Sequence, residues 1–371
     1  MSANQLLSPF QVGDLHLPNR VIMAPLTRSR ASTPGDVPNQ LMAQYYTQRA
    51  SAGLIISEAS QISPQGQGYA CTPGIYSQSQ IAGWQQVTHA IHQAGGRIAI
   101  QLWHVGRISN RLFQPDNQAP VAPSAIKADG ARSYNLQAGK LTRISTDTPK
   151  ALTINEIQTI IADYQQAALN SMEAGFDLVE LHAANGYLPD QFLSTNSNQR
   201  TDEYGGSIVN RAHFALEIID TLIDAIGANK VGIRLSPNGS FNDIADTESE
   251  TMALYLAEQL NKRQIAYIHI NEPTWDNGRP YSLEFRQQLR QAFQGPIIVC
   301  GAYTQASAEQ IINNGHADLV AFGRPYIANA DLVKRFQNNA ELNTPQPETF
   351  YGGDEKGYTD YPLLEPEAEP A

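Results

Sequence analysis

The sequence predicts an α/β protein built as one (β/α)8 TIM barrel over residues 1–371, with an N-terminal hairpin as floor and a long excursion after the third strand. Three observations predict it. Eight short apolar runs alternate with longer segments of helical spacing. The runs are near-continuous Val, Ile and Leu, as strands covered on both faces are, and that covering is a property of parallel sheets. No GxGxxG follows the first run, which removes the main sign of an open dinucleotide-binding sheet. Eight parallel strands with their crossovers in one domain of this length favour a closed barrel.

In chain order, the segment before Arg20 reads as the hairpin of the floor. The runs are Arg20 to Ala24, Leu54 to Ala59, Arg97 to Leu102, Phe176 to Leu181, Val231 to Leu235, Ala266 to Ile270, Pro296 to Val299 and Asp318 to Phe322. Val37 to Ala52, Ile81 to Ala94, Thr153 to Ala174, Asn210 to Ile226, Ser249 to Lys262, Ser282 to Phe293 and Ala306 to Asn314 read as the amphipathic crossover helices. Thr153 with Glu156 gives one of them a capping-box start, and Gly175 stops it. Trp103 to Lys150 is rich in Pro, Gly, Ser and Asn and has no helical period, so it reads as an elaborated loop over the third strand. The acidic, Pro-rich tail 355–371 reads as a surface strap or a partly disordered end.

Composition narrows the function. With 42% hydrophobic and 16% charged residues the chain is a well-buried globular body. Two cysteines, Cys71 and Cys300, suit a reducing compartment. A net charge of -11 repels nucleic acid and anionic lipid, so neither is an expected partner. Met1 to Gln11 has neither a basic start nor an apolar run, and no segment is apolar for long enough to span a membrane; the reading is a cytoplasmic protein.

In this fold chemistry gathers at the carboxyl ends of the strands. Those ends supply Pro25 and Thr27, Ala59, Gln101 and Trp103, His182 with Asn185 and Tyr187, Arg234, Asn271 with Trp275, Gly301 with Ala302, and Gly323 with Arg324. Hydrogen-bonding groups without a carboxylate pair, flanked by aromatics, suit a flat molecule with polar edges, and they argue against a glycosidase. The glycines after strands seven and eight, with Arg324, fit the phosphate position of such barrels, although either glycine alone would read as a tight turn. His182 and Asn185 can grip one carbonyl oxygen with Tyr187 as a proton source. An isolated His is more often a satisfied barrel-interior residue; its place at a strand end favours the site. Metal ligation lacks a second ligand at the right spacing, and no metal is expected. Arg234 needs an anionic partner, a structural carboxylate or a ligand, with the two readings equal. Trp103, Tyr69, Trp275 and Tyr351 are open to simple packing.

Together these residues resemble the Old Yellow Enzyme family of flavin-dependent ene-reductases. The resemblance runs from NRVIMAPLTR (Asn19 to Arg28) through SEAS, QLWHVGR, LHAANGYLPDQFLSTNSNQRTDEYGGSIVNR (Leu181 to Arg211), GIRLSP and GAYT to FGRPYIANADL. It implies a barrel holding non-covalent FMN, with NADPH as hydride donor and NADH as an alternative. Pro25, Thr27, Ala59, Gln101 and Arg234 would meet the flavin ring, with His182 beside it. Gly301, Ala302, Gly323 and Arg324 would hold its phosphate. His182 and Asn185 would bind the substrate oxygen and Tyr187 would give the proton, while Tyr69, Trp103, Trp275 and Tyr351 wall the cavity. Substrates would be electron-poor alkenes, namely α,β-unsaturated carbonyls and nitro compounds, and also nitrate esters; phenols would bind as ligands, and the protein would be a monomer or homodimer. Ala183, Pro189, Thr195 and the His/Asn pair in place of His/His depart from common family choices and bear on substrate range. Two rival readings are a phosphate-binding barrel lyase or aldolase, for which no strand-end lysine or metal cluster is visible, and a non-catalytic flavin-binding protein.

Overall fold

The computed structural model describes residues 5–274 and 276–364. Its centre is a closed barrel of eight parallel strands: β3 (Val21–Met23), β4 (Leu54–Gln61), β5 (Ile98–Trp103), β10 (Leu178–Ala183), β11 (Val231–Leu235), β12 (Tyr267–Asn271), β13 (Ile297–Cys300) and β14 (Leu319–Phe322), with β14 pairing back onto β3. These are the eight expected runs, with ends moved by at most two residues. Crossovers come from α1 (Gln40–Thr47), α2 (Gln78–Gln93), α3 (Ile154–Glu173), α5 (Ile208–Ile226), α6 (Ser249–Arg263), α7 (Leu283–Ala292) and α8 (Gln305–Asn313). Short α4 (Leu188–Leu193), α9 (Arg324–Ala328) and α10 (Leu332–Gln337) follow strand ends and were not expected. Helix α1 is shorter than the Val37 to Ala52 pattern because Asn39 caps it, its side chain accepting from the Met42 N–H at 3.0 Å. Helix α2 starts before the expected Ile81 because Ser77 and Gln80 form a capping box.

Strand alternation sorts the apolar runs into two cores. Val179, Leu181, Ile233, Ile268 and Val320 face the helices. Ile22, Leu54, Ala99, Leu178, Ile298 and Leu319 fill the lower interior, and the hairpin of β1 (Phe10–Val12) and β2 (Leu15–Leu17) closes it with Val12 and Leu17. Going up the same inward rows the residues turn polar: Leu178, Glu180, His182 on β10, and Tyr267, His269, Asn271 on β12. Gly232 on β11 clears space for this change, since a Cβ there would run into the Tyr267 ring.

The excursion after β5 corrects the expectation of an elaborated loop. Besides the short pair β6 (Val121–Ala122) and β9 (Lys150–Ala151), it contains an antiparallel hairpin, β7 (Arg132–Gln137) and β8 (Lys140–Ser145). Its turn places Ala138 and Gly139 both at positive φ, 48° and 75°, as a two-residue hairpin turn requires. An Ala there carries no turn signal, which hid the hairpin. The Ala70 N–H donates to the Tyr134 carbonyl at 2.8 Å and joins the hairpin to the loop after β4.

The described part of the tail is packed. Tyr358 is buried, stacks on Tyr45 at 3.9 Å and lies beside the guanidinium groups of Arg28 and Arg30. Arg28 donates to the carbonyls of Phe350 and Gly357, so residues 349–358 are strapped to the segment that carries Thr27. Residues 365–371 of the acidic tail lie outside the described residues. Among the described residues no helix is long and apolar enough to cross a membrane.

Candidate active site

The polar top of the barrel carries two hydrogen-bonded chains on neighbouring strands, Gln101–Glu180–His269 and Arg234–Asn271–Asn185. Register sets His182 of β10 beside Arg234 of β11, and Arg234 beside His269 of β12. One layer lower, Glu180 stands beside Gln101 of β5. Glu180 and His269 are fully buried. The Gln101 Nε2 donates to Glu180 Oε1 at 2.6 Å, and His269 Nδ1 lies 2.9 Å from Glu180 Oε2. Burial acts to raise the Glu180 carboxyl, but His269, Arg234 and Gln101 together hold it below the usual glutamate range. Burial and the Arg234 guanidinium push His269 down despite the opposing pull of Glu180, so His269 is a neutral N–H donor and Glu180 carries the charge.

Arg234 Nη2 donates to Asn271 Oδ1 at 2.7 Å, and Asn271 Nδ2 donates to Asn185 Oδ1 at 3.1 Å. The turn that carries Asn185 is held at several points. Asn185 and Gly186 both have positive φ, 59° and 75°. The Asn185 N–H donates to the Ser236 hydroxyl at 2.8 Å, its carbonyl accepts from Asn242 at 2.9 Å, and the Gly186 N–H donates to Asp190 Oδ2 at 2.8 Å. Tyr187 then caps α4.

Aromatic side chains surround these groups. The Trp103 ring is within 8° of parallel to His182, and the Tyr187 ring stands edge-on to both, 5.0 Å from His182 and 4.9 Å from Trp103. The Tyr187 and Tyr69 hydroxyls are hydrogen-bonded at 3.1 Å. Burial pushes the Tyr187 phenol up to about 12 and raises Tyr69 as well, while burial, Arg234 and His269 press His182 well below the usual histidine range. The site therefore offers a neutral imidazole beside protonated phenols.

The remaining predicted residues divide by location. Pro25 and Ala59 are buried and Thr27 is half-buried, all at the ends of β3 and β4. Gly301 and Ala302 follow β13 directly, and Gly323 and Arg324 follow β14; Arg324 is exposed and pairs with no carboxylate among the described residues. Tyr351, at 53% exposure, stands at the outer rim and stacks on Tyr134 at 5.9 Å, which in turn lies against Tyr69. Trp275 lies outside the described residues. Sequence reasoning missed Glu180, Asp190 and Tyr134, and noted Asn271 without using it. A carboxylate two places before His182 in an apolar strand was a readable signal for Glu180; Tyr134 gave none. The sequence shows no carboxylate pair at the strand ends; the structure puts Glu180 one layer beneath them and Glu272 directly after β12, paired with Arg286 at 2.8 Å.

Two buried polar atoms at the mouth, His182 Nδ1 and Arg234 Nε, have no partner among the described residues. Buried donors and acceptors are nearly always satisfied, so at the open end of the barrel these two atoms are free to meet a ligand. No ion pair joins Arg234 to a carboxylate among the described residues, which favours the ligand reading of its charge. A donor set of one amide, one guanidinium and one imidazole, with an unpaired Arg at the strand eight end, suits the pyrimidine edge and phosphate of FMN. Among the described residues no group of three His, Cys, Asp or Glu is placed to hold a metal.

A closed barrel with this mouth defines a flavin oxidoreductase. The chain belongs to the NADH:flavin oxidoreductase / NADH oxidase family, whose model it matches over residues 5–343, and so to the Old Yellow Enzyme group its motifs resemble. It is 44% identical over 369 residues to 12-oxophytodienoate reductase 1 of Oryza sativa subsp. japonica, covering 98% of this chain and 94% of that protein. It is 43% identical over 364 residues to 12-oxophytodienoate reductase 2 of Arabidopsis thaliana, covering 97% and 96%. Among solved structures, morphinone reductase in complex with tetrahydroNAD has a TM-score of 0.94 at 54% identity and 99% coverage of each chain. The old yellow enzyme homologue from Zymomonas mobilis has a TM-score of 0.92 at 40% identity, covering 97% of this chain and 100% of that one. The protein is an enzyme, an oxidoreductase that uses FMN and takes hydride from a reduced nicotinamide.

Proposed function

We propose that the protein reduces the activated C=C bond of α,β-unsaturated carbonyl compounds and nitroalkenes, with nitrate esters as a further substrate class. One observation carries the reading: the His182 and Tyr187 rings lie 5.0 Å apart at the barrel mouth, with Asn185 on the turn between them and His182 Nδ1 without a partner among the described residues. His182 and Asn185 hold the carbonyl or nitro oxygen and offset the charge that grows there, a contribution of roughly 3 kcal/mol per good donor. Tyr187 gives its proton to the α carbon, and the Tyr69 hydroxyl, bonded to it, is placed to replace that proton.

Gln101 and Arg234 would hold the pyrimidine edge of FMN, where the Arg234 guanidinium would offset negative charge. Thr27, Pro25 and Ala59 would meet the flavin ring, and Gly301, Ala302, Gly323 and Arg324 would hold the phosphate. Bound FMN supplies the hydride chemistry, accepting from the nicotinamide and donating to the alkene. Trp103, Tyr69 and, further out, Tyr351 form an apolar wall that admits flat ligands, phenols included; Trp275 belongs to the same proposal. NADPH is the proposed donor with NADH as alternative, the two substrates use the site in turn, and the protein works in the cytoplasm as a monomer or homodimer.

The test is an anaerobic half-reaction experiment on the purified holoenzyme. NADPH should bleach the yellow absorbance and 2-cyclohexenone should restore it. Bleaching without restoration by any enone or nitroalkene would leave a flavin-binding protein and sink the proposal.

A further inference from the structure

We propose that Asn271 is a positioning residue that dictates which end of the Asn185 amide meets the substrate. This rests on the reading of Asn185 as an anchor for the substrate oxygen. An amide can turn either end to a ligand, and only one end is useful: the NH2 donates to a carbonyl, nitro or phenolate oxygen, whereas the C=O repels it. Nothing in the Asn185 backbone settles the choice. The hydrogen bonds of the side chains do.

The direction is imposed from the barrel interior. Arg234 has five N–H donors and no acceptor, so the group it touches at 2.7 Å must present an oxygen. Asn271, 5% exposed, therefore has its Oδ1 toward Arg234 and its Nδ2 toward Asn185. At 3.1 Å that Nδ2 needs an acceptor, which is the Asn185 Oδ1. The end of Asn185 left for a ligand is its NH2. The polarity of the chain Arg234, Asn271, Asn185 is thus fixed by the one residue that cannot accept, and Asn271 passes it on. Among the described residues Asn185 is otherwise held through its backbone, to Ser236 and Asn242, which sets its place and not its amide direction. The same chain joins the residue proposed to meet the flavin to the residue proposed to meet the substrate.

Asn271→Asp tests this, because it keeps the shape and the bond from Arg234 but cannot donate. Facing an oxygen, the Asn185 amide should turn over, give its NH2 to the new carboxylate and offer its C=O to the ligand. The measurement is calorimetric titration of the oxidised holoenzyme with p-cresol, without nicotinamide, on the wild type, N185A, N271D and the double variant, each checked for bound FMN and for thermal unfolding. N185A and N271D should each weaken binding about tenfold or more. In the N185A background N271D should add less than about twofold, the signature of one residue acting through the other. Should N271D lose FMN or fail to fold, the same cycle with Asn271→Ala is expected to give a smaller loss of about threefold, again absent in the N185A background. Full p-cresol affinity in N185A would remove the anchor reading and this inference with it. A tenfold loss in N185A with N271D within about twofold of wild type would overturn the role of Asn271 alone. So would an equal loss from N271D in both backgrounds, which would mean that its charge acts on the ligand directly.

Discussion

Tyr187 and His182 differ from free side chains mainly because they are out of water, and burial acts on them in opposite senses. It penalises the phenolate, so the Tyr187 proton is retained up to about 12, and it penalises the imidazolium, so His182 stays neutral well below its ordinary range. A raised acid pKa keeps the protonated donor present at every pH below it. The oxidative half-reaction should therefore show no loss of a tyrosine proton between about pH 6 and pH 10. Tyr187→Phe should slow that half-reaction about a hundredfold or more in stopped-flow measurements while leaving reduction by NADPH within a few-fold. Equal slowing of both would remove Tyr187 as proton donor. His182→Ala should weaken p-cresol binding about tenfold, and wild-type affinity should show no step near the pKa of a free histidine. Such a step would mean that the imidazole titrates in the site.

At the scale of elements, the turn between β10 and α4 decides whether Asn185 and Tyr187 share the mouth. Asp190 accepts the Gly186 N–H from within the first turn of α4. Burial raises its carboxyl to about 7, with Asp246 adding and the Gly186 N–H, Ser236 and Arg107 opposing. The folded state holds this proton more tightly than the unfolded chain, so wild-type stability falls as pH rises from about 4 to about 7, and the full cost stands above that. Asn at this position can still accept from Gly186 and carries no such cost. Denaturant unfolding should find Asp190→Asn gaining on wild type between about pH 5 and pH 8 by about 2 kcal/mol. A difference constant with pH would show that Asp190 keeps an ordinary pKa. Asp190 and the β7–β8 hairpin were both illegible in sequence, the first as an ordinary surface-type residue of LPDQFL, the second because its turn residues are Ala138 and Gly139.

For the whole molecule, FMN binding and folding are linked, because a ligand held only by the native state raises its stability by RT ln(1 + [L]/Kd). Stripping FMN should lower the melting temperature by several degrees, and returning FMN at about a hundredfold over Kd should restore about 2.7 kcal/mol. Riboflavin, which lacks the phosphate, should restore clearly less. Equal recovery would mean that Gly301, Ala302, Gly323 and Arg324 hold nothing. The sequence by itself determined the barrel, because strands buried on both faces must be apolar throughout and each needs a crossover of its own; the eight runs and seven helices record both demands directly. It also placed His182, Asn185, Tyr187 and Arg234 at the carboxyl ends of their strands, since fold class fixes which end of each strand gathers the polar residues. Only the tertiary structure decided which way the donors face. Glu180, His269 and Asn271 come from separate stretches of the chain, and the direction of an amide depends on the partner across the barrel, a contact that exists only once the sheet has closed.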